Sequence, residues 1–179
     1  MTEPLQIVGR RVALRLVRPE DAEFILSLRL NTERNRYLST TDPDVEAQVE
    51  WLVQYQEREK QGLEYYFVVE ELGAGPSGAC RFYDPQGPSF HIGSWVHRPG
   101  ASFAVALEGI VRLYDVGFQY LGCRYLRFQI MKANTRVIAS QLRLGGVEVG
   151  EDATYRYFRM DQSSFERQRA RFARHLGVA

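Results

Sequence analysis

The chain is poor in several things, and each shortage narrows what it can be. It holds two cysteines, Cys80 and Cys123, set apart in β-prone segments, which points to reduced, packed thiols and a cytoplasmic protein rather than a disulfide framework. Its three histidines are scattered and give no metal-ligand spacing, so no metal is expected. No apolar run approaches the roughly 18 residues that span a bilayer, and the opening MTEPLQIVGRR has no apolar signal core, so no membrane is expected. Lysine plus arginine number 23 against 22 acids, a net charge of +1. That balance gives no broad basic surface for nucleic acid. Internal repeats and low-complexity tracts are also missing. What remains is 179 residues, enough for one domain with a sizeable core.

The richest stretch runs from Ser89 to Gly145: SFHIGSWVHRPG, ASFAVALEGIVRLYDVGFQYLG, CRYLRFQIMKAN and TRVIASQLRLGG in succession. It reads as a strand ending at a glycine, a long amphipathic helix, a second strand ending at an asparagine, and a shorter helix. A helix that opens directly after a strand is a ready anion site. Two parallel strands splaying at that point would leave a slot for a long ligand.

Strands and helices alternate elsewhere without a linker. Val12, Leu14 and Leu16 predict a half-buried strand over Arg11 to Val17. Pro19, Glu20 and Asp21 open a helix reaching about Leu30. After the polar turn STTDPD a second helix is expected from about Val45 to Gly62, with Val45, Val49, Leu52 and Val53 as its core face and Trp51 and Tyr55 beside it. EYYFVVEE, GACRFYD and SFHIGSWV form an antiparallel meander. In the long helix Phe103, Ala106, Leu107, Ile110, Val111, Tyr114, Phe118 and Leu121 are the apolar face, with Glu108, Arg112, Asp115 and Gln119 opposite. Two further β-prone runs follow, around Val147 and over Tyr155 to Phe158, and Asp161 caps a last helix ending near Leu176.

This order resembles the GNAT superfamily of acyl-CoA-dependent N-acetyltransferases, nearest the branch with ribosomal-protein N-acetyltransferases. LRLVRPEDAEFILSLR is similar to that branch's first strand and helix, and NTRVIASQLRLGGVEVGE to its closing signature. TDPDVEAQVEWL, EYYFVVEE, GSWV and the PGAS helix start also resemble acetyltransferases acting on nucleotide-linked amino sugars. The resemblance covers roughly Arg11 to Met160. It implies a single α/β (α+β) domain over 1–179, with a core of about 11–160 and a terminal helix of about 161–176. Its mixed, mostly antiparallel sheet would have about seven strands flanked by four to five helices.

It also implies acetyl-CoA as co-substrate and a primary amine as acceptor. The pantetheine arm would lie along the strand His91 to Val96, with Trp95 and Val96 among its contacts and the Val96 N–H stabilising the acyl oxygen. The pyrophosphate would lie over Gly100, Ala101, Ser102, Phe103 and Ala104. The family pattern Gln/Arg-x-x-Gly-x-Gly/Ala is displaced here, since aligning the helix puts Ser102 and Ala104 at the two small positions. Small residues still permit close approach, so a phosphate could fit; the alternative is an ordinary connection whose Pro-Gly is only a turn. Asn134 would both cap the next helix and bond the arm, with Arg136 reaching the phosphates or standing in solvent.

The family often has a tyrosine seven residues after that asparagine, to protonate the leaving thiolate. Here the position holds Gln141. Glutamine cannot give up a proton but can donate a hydrogen bond, and a thiolate with pKa about 8.5 leaves tolerably unassisted. For the base, Glu64, Asp84, His91 and Glu108 are candidates, with His91 on the key strand and able to titrate near neutrality. Glu108 would alternatively pair with Arg112 at i,i+4. Trp51, Tyr65 and Tyr83 are candidate acceptor contacts, since aromatic faces pack on sugars or bases, with ordinary packing as the alternative. Tyr65 and Tyr66 alternate, so one at most faces the site.

The Gly-x-Gly in LGAGPSG joins two strands and is a hairpin loop. Arg167, Arg169, Arg171 and Arg174 on the last helix suit its dipole or serve a homodimer contact or an acidic ligand. The chain is therefore expected to acetylate an amino sugar or other small amine by direct attack in a ternary complex. The alternatives are a protein α-amino group as acceptor, or a CoA-binding module without catalysis.

Overall fold

The alternation of Val12, Leu14 and Leu16 closes into a strand in which only Arg15 is not buried. The computed structural model describes residues 5–31, 37 and 41–176, with side chains as far as 170. The first four residues, Ser39 and Thr40 of the polar turn, and the side chains of Arg171, Phe172, Arg174 and Leu176 lie outside the described residues. In chain order the elements are β1 (Gln6–Val8), β2 (Val12–Leu16), a 3-10 turn (Pro19–Asp21) leading into α1 (Ala22–Leu30), and α2 (Val45–Lys60). Then come β3 (Tyr65–Glu71), β4 (Gly75–Tyr83), β5 (His91–His97), and α3 (Phe103–Asp115) continued by a π-helical turn (Val116–Tyr120). The chain closes with β6 (Tyr125–Met131), α4 (Thr135–Arg143), β7 (Val147–Glu151), β8 (Tyr155–Asp161) and α5 (Gln162–Leu176).

The strands form one open sheet in the order β1-β2-β3-β4-β5-β6-β8-β7. Neighbours are antiparallel except β5 and β6, which run parallel. The sheet thus has eight strands rather than about seven. The extra one is β1, three residues paired to β2, with Ile7 in the core and Val8 exposed. LGAGPSG is a hairpin connection, since β4 already begins at Gly75 and pairs with Glu71. Among the described residues no helix is long and apolar enough to cross a membrane. Cys80 and Cys123 are both free and buried.

Two clusters pack on the two faces of the sheet. Phe67, Val69, Cys80, Phe82 and Ile92 meet Val105, Ile110 and Tyr114 of α3. On the other face Tyr66, Val68, Ala79 and Val96 meet Ile25 and Leu28 of α1 and Leu52 and Tyr55 of α2. Strand alternation accounts for this division, except on β5. There Ala79 faces Val96 but Arg81 faces Gly93, so β5 carries one residue more than its partner. Ser94 absorbs it in the left-handed region at φ 53°. This β-bulge is why Ile92 and Val96, four positions apart, enter opposite clusters.

Three expected faces are corrected. On α2 the buried residues are Leu52 and Tyr55, while Val45 and Val53 are exposed. The aromatic stack of Trp51 on Tyr55, together with the Tyr66 N–H donated to the Tyr55 hydroxyl at 2.8 Å, turns that edge inward. Phe103, expected in the core, is 71% exposed as the first residue of α3. Glu108 and Asp115, expected on a polar face, are buried. Glu108 accepts the backbone N–H of Arg10 and Arg11 at the β1–β2 turn, and Arg112 pairs with Asp115 at 3.1 Å instead of with Glu108.

Candidate active site

β5 and β6 start as neighbours and then part. His91 stands opposite Arg127, whose N–H donates to the Phe90 carbonyl at 3.0 Å, and no register continues beyond that pair. The gap opens into a cavity of about 370 Å³ bordered by Ile92 to Trp95 on β5 and Phe128 to Met131 on β6. From the α3/α4 side it is lined by Ile110, Tyr114, Asn134, Val137 and Gln141; from the α1/α2 side by Arg29, Arg81, Tyr83 and His91. It therefore reaches both layers through the parted sheet.

A second chamber of about 290 Å³ adjoins it, lined by Arg29, Thr41, Gln48, Trp51, Tyr66 and Arg81. Arg29, Arg81 and Ser94 border both spaces. Trp51 stacks on Tyr55 at 6.0 Å and holds Arg58 and Arg81 at 5.0 and 5.5 Å from its ring. Buried Glu64 is bound by Arg58 at 2.6 Å and Arg81 at 3.3 Å. Among the described residues the second chamber is lined by two guanidinium groups and no carboxylate, which suits an anionic group.

The fit to an extended amide-bearing arm rests on the α4 start. Asn134 caps α4, its Oδ1 accepting the Val137 N–H at 3.4 Å, and it lines the cavity. Its amide N–H groups remain as donors. At the α3 start Gly100, at φ 82°, turns the chain, with the Ala101 N–H donated to the Arg98 carbonyl at 3.3 Å. A non-glycine residue would be strained in that turn. Ser102 caps α3 by accepting the Val105 N–H at 3.2 Å, so Phe103 and Ala104 have no intrahelical acceptor. Gly100, Ser102 and Phe103 are exposed and Ala101 and Ala104 half-buried, all outside the cavity lining, and Arg136 is likewise exposed and outside it.

The remaining candidates divide. Trp95, Tyr83, His91 and Gln141 line the main cavity and Trp51 the second chamber. Val96 does not line it; it pairs with Ala79 and buries its side chain in the α1/α2 cluster, because the bulge ends the open edge at Ser94 and Trp95. Tyr65 lies on the other face against Phe90, at 5.9 Å, and Tyr66 takes the expected position in its stead. Glu64 and Glu108 are held in ion pairs and backbone bonds outside the cavity, and Asp84 is exposed and bonded to Arg127. Arg169 of the last helix pairs with Asp115 at 3.3 Å, an intramolecular use of one expected contact residue.

Burial, reinforced by the neighbouring Arg127, lowers the His91 pKa to about 4. The imidazole is therefore neutral at neutral pH. Burial raises the Tyr83 phenol and, more strongly, that of Tyr114. Tyr114 was not among the expected site residues. Its signal was hidden because a tyrosine at core spacing on an amphipathic helix reads as packing. Its hydroxyl donates to Oε1 of Gln141 at 2.5 Å. Among the described residues no group of three or more histidine, cysteine or acidic side chains could hold a metal ion.

Residues 11–147 match the model of a family described as an acetyltransferase (GNAT) domain. No curated protein matches the chain. Among solved structures, apo FdhC, described as a nucleotide-linked sugar GNAT, superposes with a TM-score of 0.88 at 34% identity, covering 97% of this chain and 99% of that one. The ribosomal-protein-S5-alanine acetyltransferase of Vibrio fischeri superposes at 0.77 with 14% identity, covering 90% and 98%. A variant of spermidine N-acetyltransferase SpeG from Vibrio cholerae superposes at 0.73 with 18% identity, covering 88% and 97%. The latter two are similar in fold alone.

Proposed function

The chain belongs to the GNAT acetyltransferase family, and from that premise we propose that it moves an acetyl group from acetyl-CoA to the primary amine of a nucleotide-linked amino sugar. One observation carries this reading: the parted β5–β6 cavity joins an arginine- and tryptophan-lined chamber at Arg29, Arg81 and Ser94. The guanidinium groups suit a diphosphate and Trp51 suits a base or sugar face. The description of the relative at 34% identity supports the same acceptor class.

Acetyl-CoA supplies an activated acetyl thioester. Asn134 donates its amide N–H to the arm, and the α3 start receives the phosphates with its dipole. Backbone N–H groups at the Ser94–Trp95 bulge, rather than at Val96, stabilise the acyl oxygen as charge develops. His91 is neutral and orients the amine. With a pKa of about 4 it is too weak a base to deprotonate an ammonium group, about 7.7–8.0 even for an α-amino group, so the amine arrives neutral and, once bonded to the acetyl carbon, releases its extra proton to water.

Purified protein is assayed for thiol release from acetyl-CoA with nucleotide-linked amino sugars, free amino sugars, spermidine and N-terminal peptides of ribosomal proteins. Turnover with the nucleotide-linked sugars at a kcat/KM at least tenfold above the rest is the expected result. Preference for spermidine or peptide overturns the acceptor class. Tight CoA binding without turnover on any amine leaves a binding module.

A further inference from the structure

In the acetyl transfer proposed above, on which this inference rests, the C–N bond forms and the C–S bond breaks. The sulfur departs with the bonding pair and takes a proton from water afterwards. A thiolate leaving into a partly apolar slot needs a donor aimed at it. The acceptor enters from the Arg29/Arg81 side, so that donor belongs on the α3/α4 side. There the cavity lining offers Asn134, Tyr114 and Gln141.

Tyr114 is 1% exposed and packed against Phe165 and Phe118, with ring centroids at 5.2 and 6.5 Å. Its hydroxyl hydrogen is committed to Oε1 of Gln141 at 2.5 Å. A side-chain amide is an acceptor at one end and a double donor at the other. Fixing the oxygen end on Tyr114 leaves both Nε2 hydrogens for the cavity that Gln141 lines.

We propose that Tyr114 is a positioning residue that locks the Gln141 amide in the orientation presenting N–H to the departing sulfur, so that the pair stabilises a thiolate instead of protonating it. The alternative, proton transfer from Tyr114 itself, runs against its chemistry. Burial raises this phenol well above its ordinary value, while a thiol lies at about 8.5, so the transfer is steeply uphill. The arrangement also explains why a glutamine serves where a proton donor was expected. Nothing at that position needs to ionise.

The test uses the whole protein and two readouts. The first is the pKa of the thiol of bound CoA, followed by the ultraviolet absorbance of the thiolate, and it does not require turnover. The second is kcat against KM for acetyl-CoA. Gln141→Glu keeps an acceptor for Tyr114 but replaces the N–H donor with an anion; Tyr114→Phe keeps the packing and releases the amide. In the unaltered protein the bound thiol should titrate about one unit or more below the free value of about 8.5. In Gln141→Glu it should return to or above that value. Both variants should lose roughly tenfold to a hundredfold in kcat, the worth of one hydrogen bond to a charged group, with KM for acetyl-CoA within about twofold. Melting curves confirm that each variant is folded, and Gln141→Asn, too short to span both partners, should fail to rescue. An unshifted thiol pKa in the unaltered protein, or a Gln141→Glu variant equal to it in both readouts, overturns the inference while leaving acetyl transfer standing. A lowered thiol pKa without turnover on any amine supports the inference and sinks the proposed acetylation.

Discussion

Glu108 and Arg11 are joined across the core: both carboxylate oxygens of Glu108, itself 0% exposed, accept the Arg11 backbone N–H at 3.2 Å. The same carboxylate accepts the Arg10 N–H, so one α3 side chain pins the β1–β2 turn. Glu108→Ala removes the shared acceptor of these part-buried N–H groups and leaves a void where a fully buried side chain stood. Unfolding in denaturant should show a loss of about 2–4 kcal/mol, with kcat per folded molecule unchanged. A collapse of kcat with stability intact would show that Glu108 serves the chemistry.

His91 ties stability to pH. Its folded pKa of about 4 lies below the ordinary value of 6.5. Between these limits the unfolded chain binds the proton more readily, so stability rises with pH. The stabilising contribution is complete above 6.5 and is lost as pH falls toward 4. Thermal melts across that window should show the unaltered protein losing more stability on acidification than His91→Gln. Parallel melting curves for the two would refute the burial of a neutral imidazole. The acid limb of kcat/KM should follow the acceptor amine and be the same in both proteins.

Arg81 lies at the junction of the two chambers and against Trp51 and Tyr83. Arg81→Met removes the charge and keeps much of the stem. KM for a nucleotide-linked acceptor should rise about tenfold or more, the value of a charge-assisted contact, while KM for a free amino sugar stays within about twofold. Arg58 still holds Glu64 at 2.6 Å, so the melting temperature should fall only modestly. Equal KM changes for the two acceptors would remove Arg81 from phosphate recognition.

Gly93 is bounded by Tyr83. A methyl added there would meet the Tyr83 hydroxyl at 2.8 Å and its ring carbon at 2.9 Å. Gly93→Ala should therefore push the Tyr83 ring within the cavity, lowering kcat/KM about tenfold or more through misplacement of the acceptor. The fold should hold, since the ring end can shift. Combining it with Tyr83→Ala should bring no further loss, whereas additive losses in the double variant would argue that Gly93 acts elsewhere.

The elements most legible in the sequence were those with a strong period. The alternation in β2 and the apolar stripe of α3 gave their elements nearly to the residue, and the order of elements gave the family. β1 was missed because three residues carry almost no periodicity and one of its two valine-like positions, Val8, faces solvent. Phe103 and Glu108 exchanged their expected roles because periodicity counts side chains and ignores what a buried backbone N–H requires. In the site, Asn134 was readable as a cap at a strand end, and Gln141, seven residues on, only through the family resemblance. Tyr114 was not, because its hydroxyl partner is on another helix. The Gly-Ser pair at 93 and 94 did carry a signal, since glycine inside a strand often marks a bulge.

That bulge sets a reading frame for the sheet. Deleting Ser94 would restore an unbroken ladder between β4 and β5, with Trp95 opposite Cys80 and Val96 still opposite Ala79. Val96 would keep its place in the α1/α2 cluster and Trp95 its α3 side; what the deletion removes is the left-handed residue that borders both chambers. One inserted residue thus gives β5 a backbone position outside the alternation of its two faces, and that position opens onto both spaces at once.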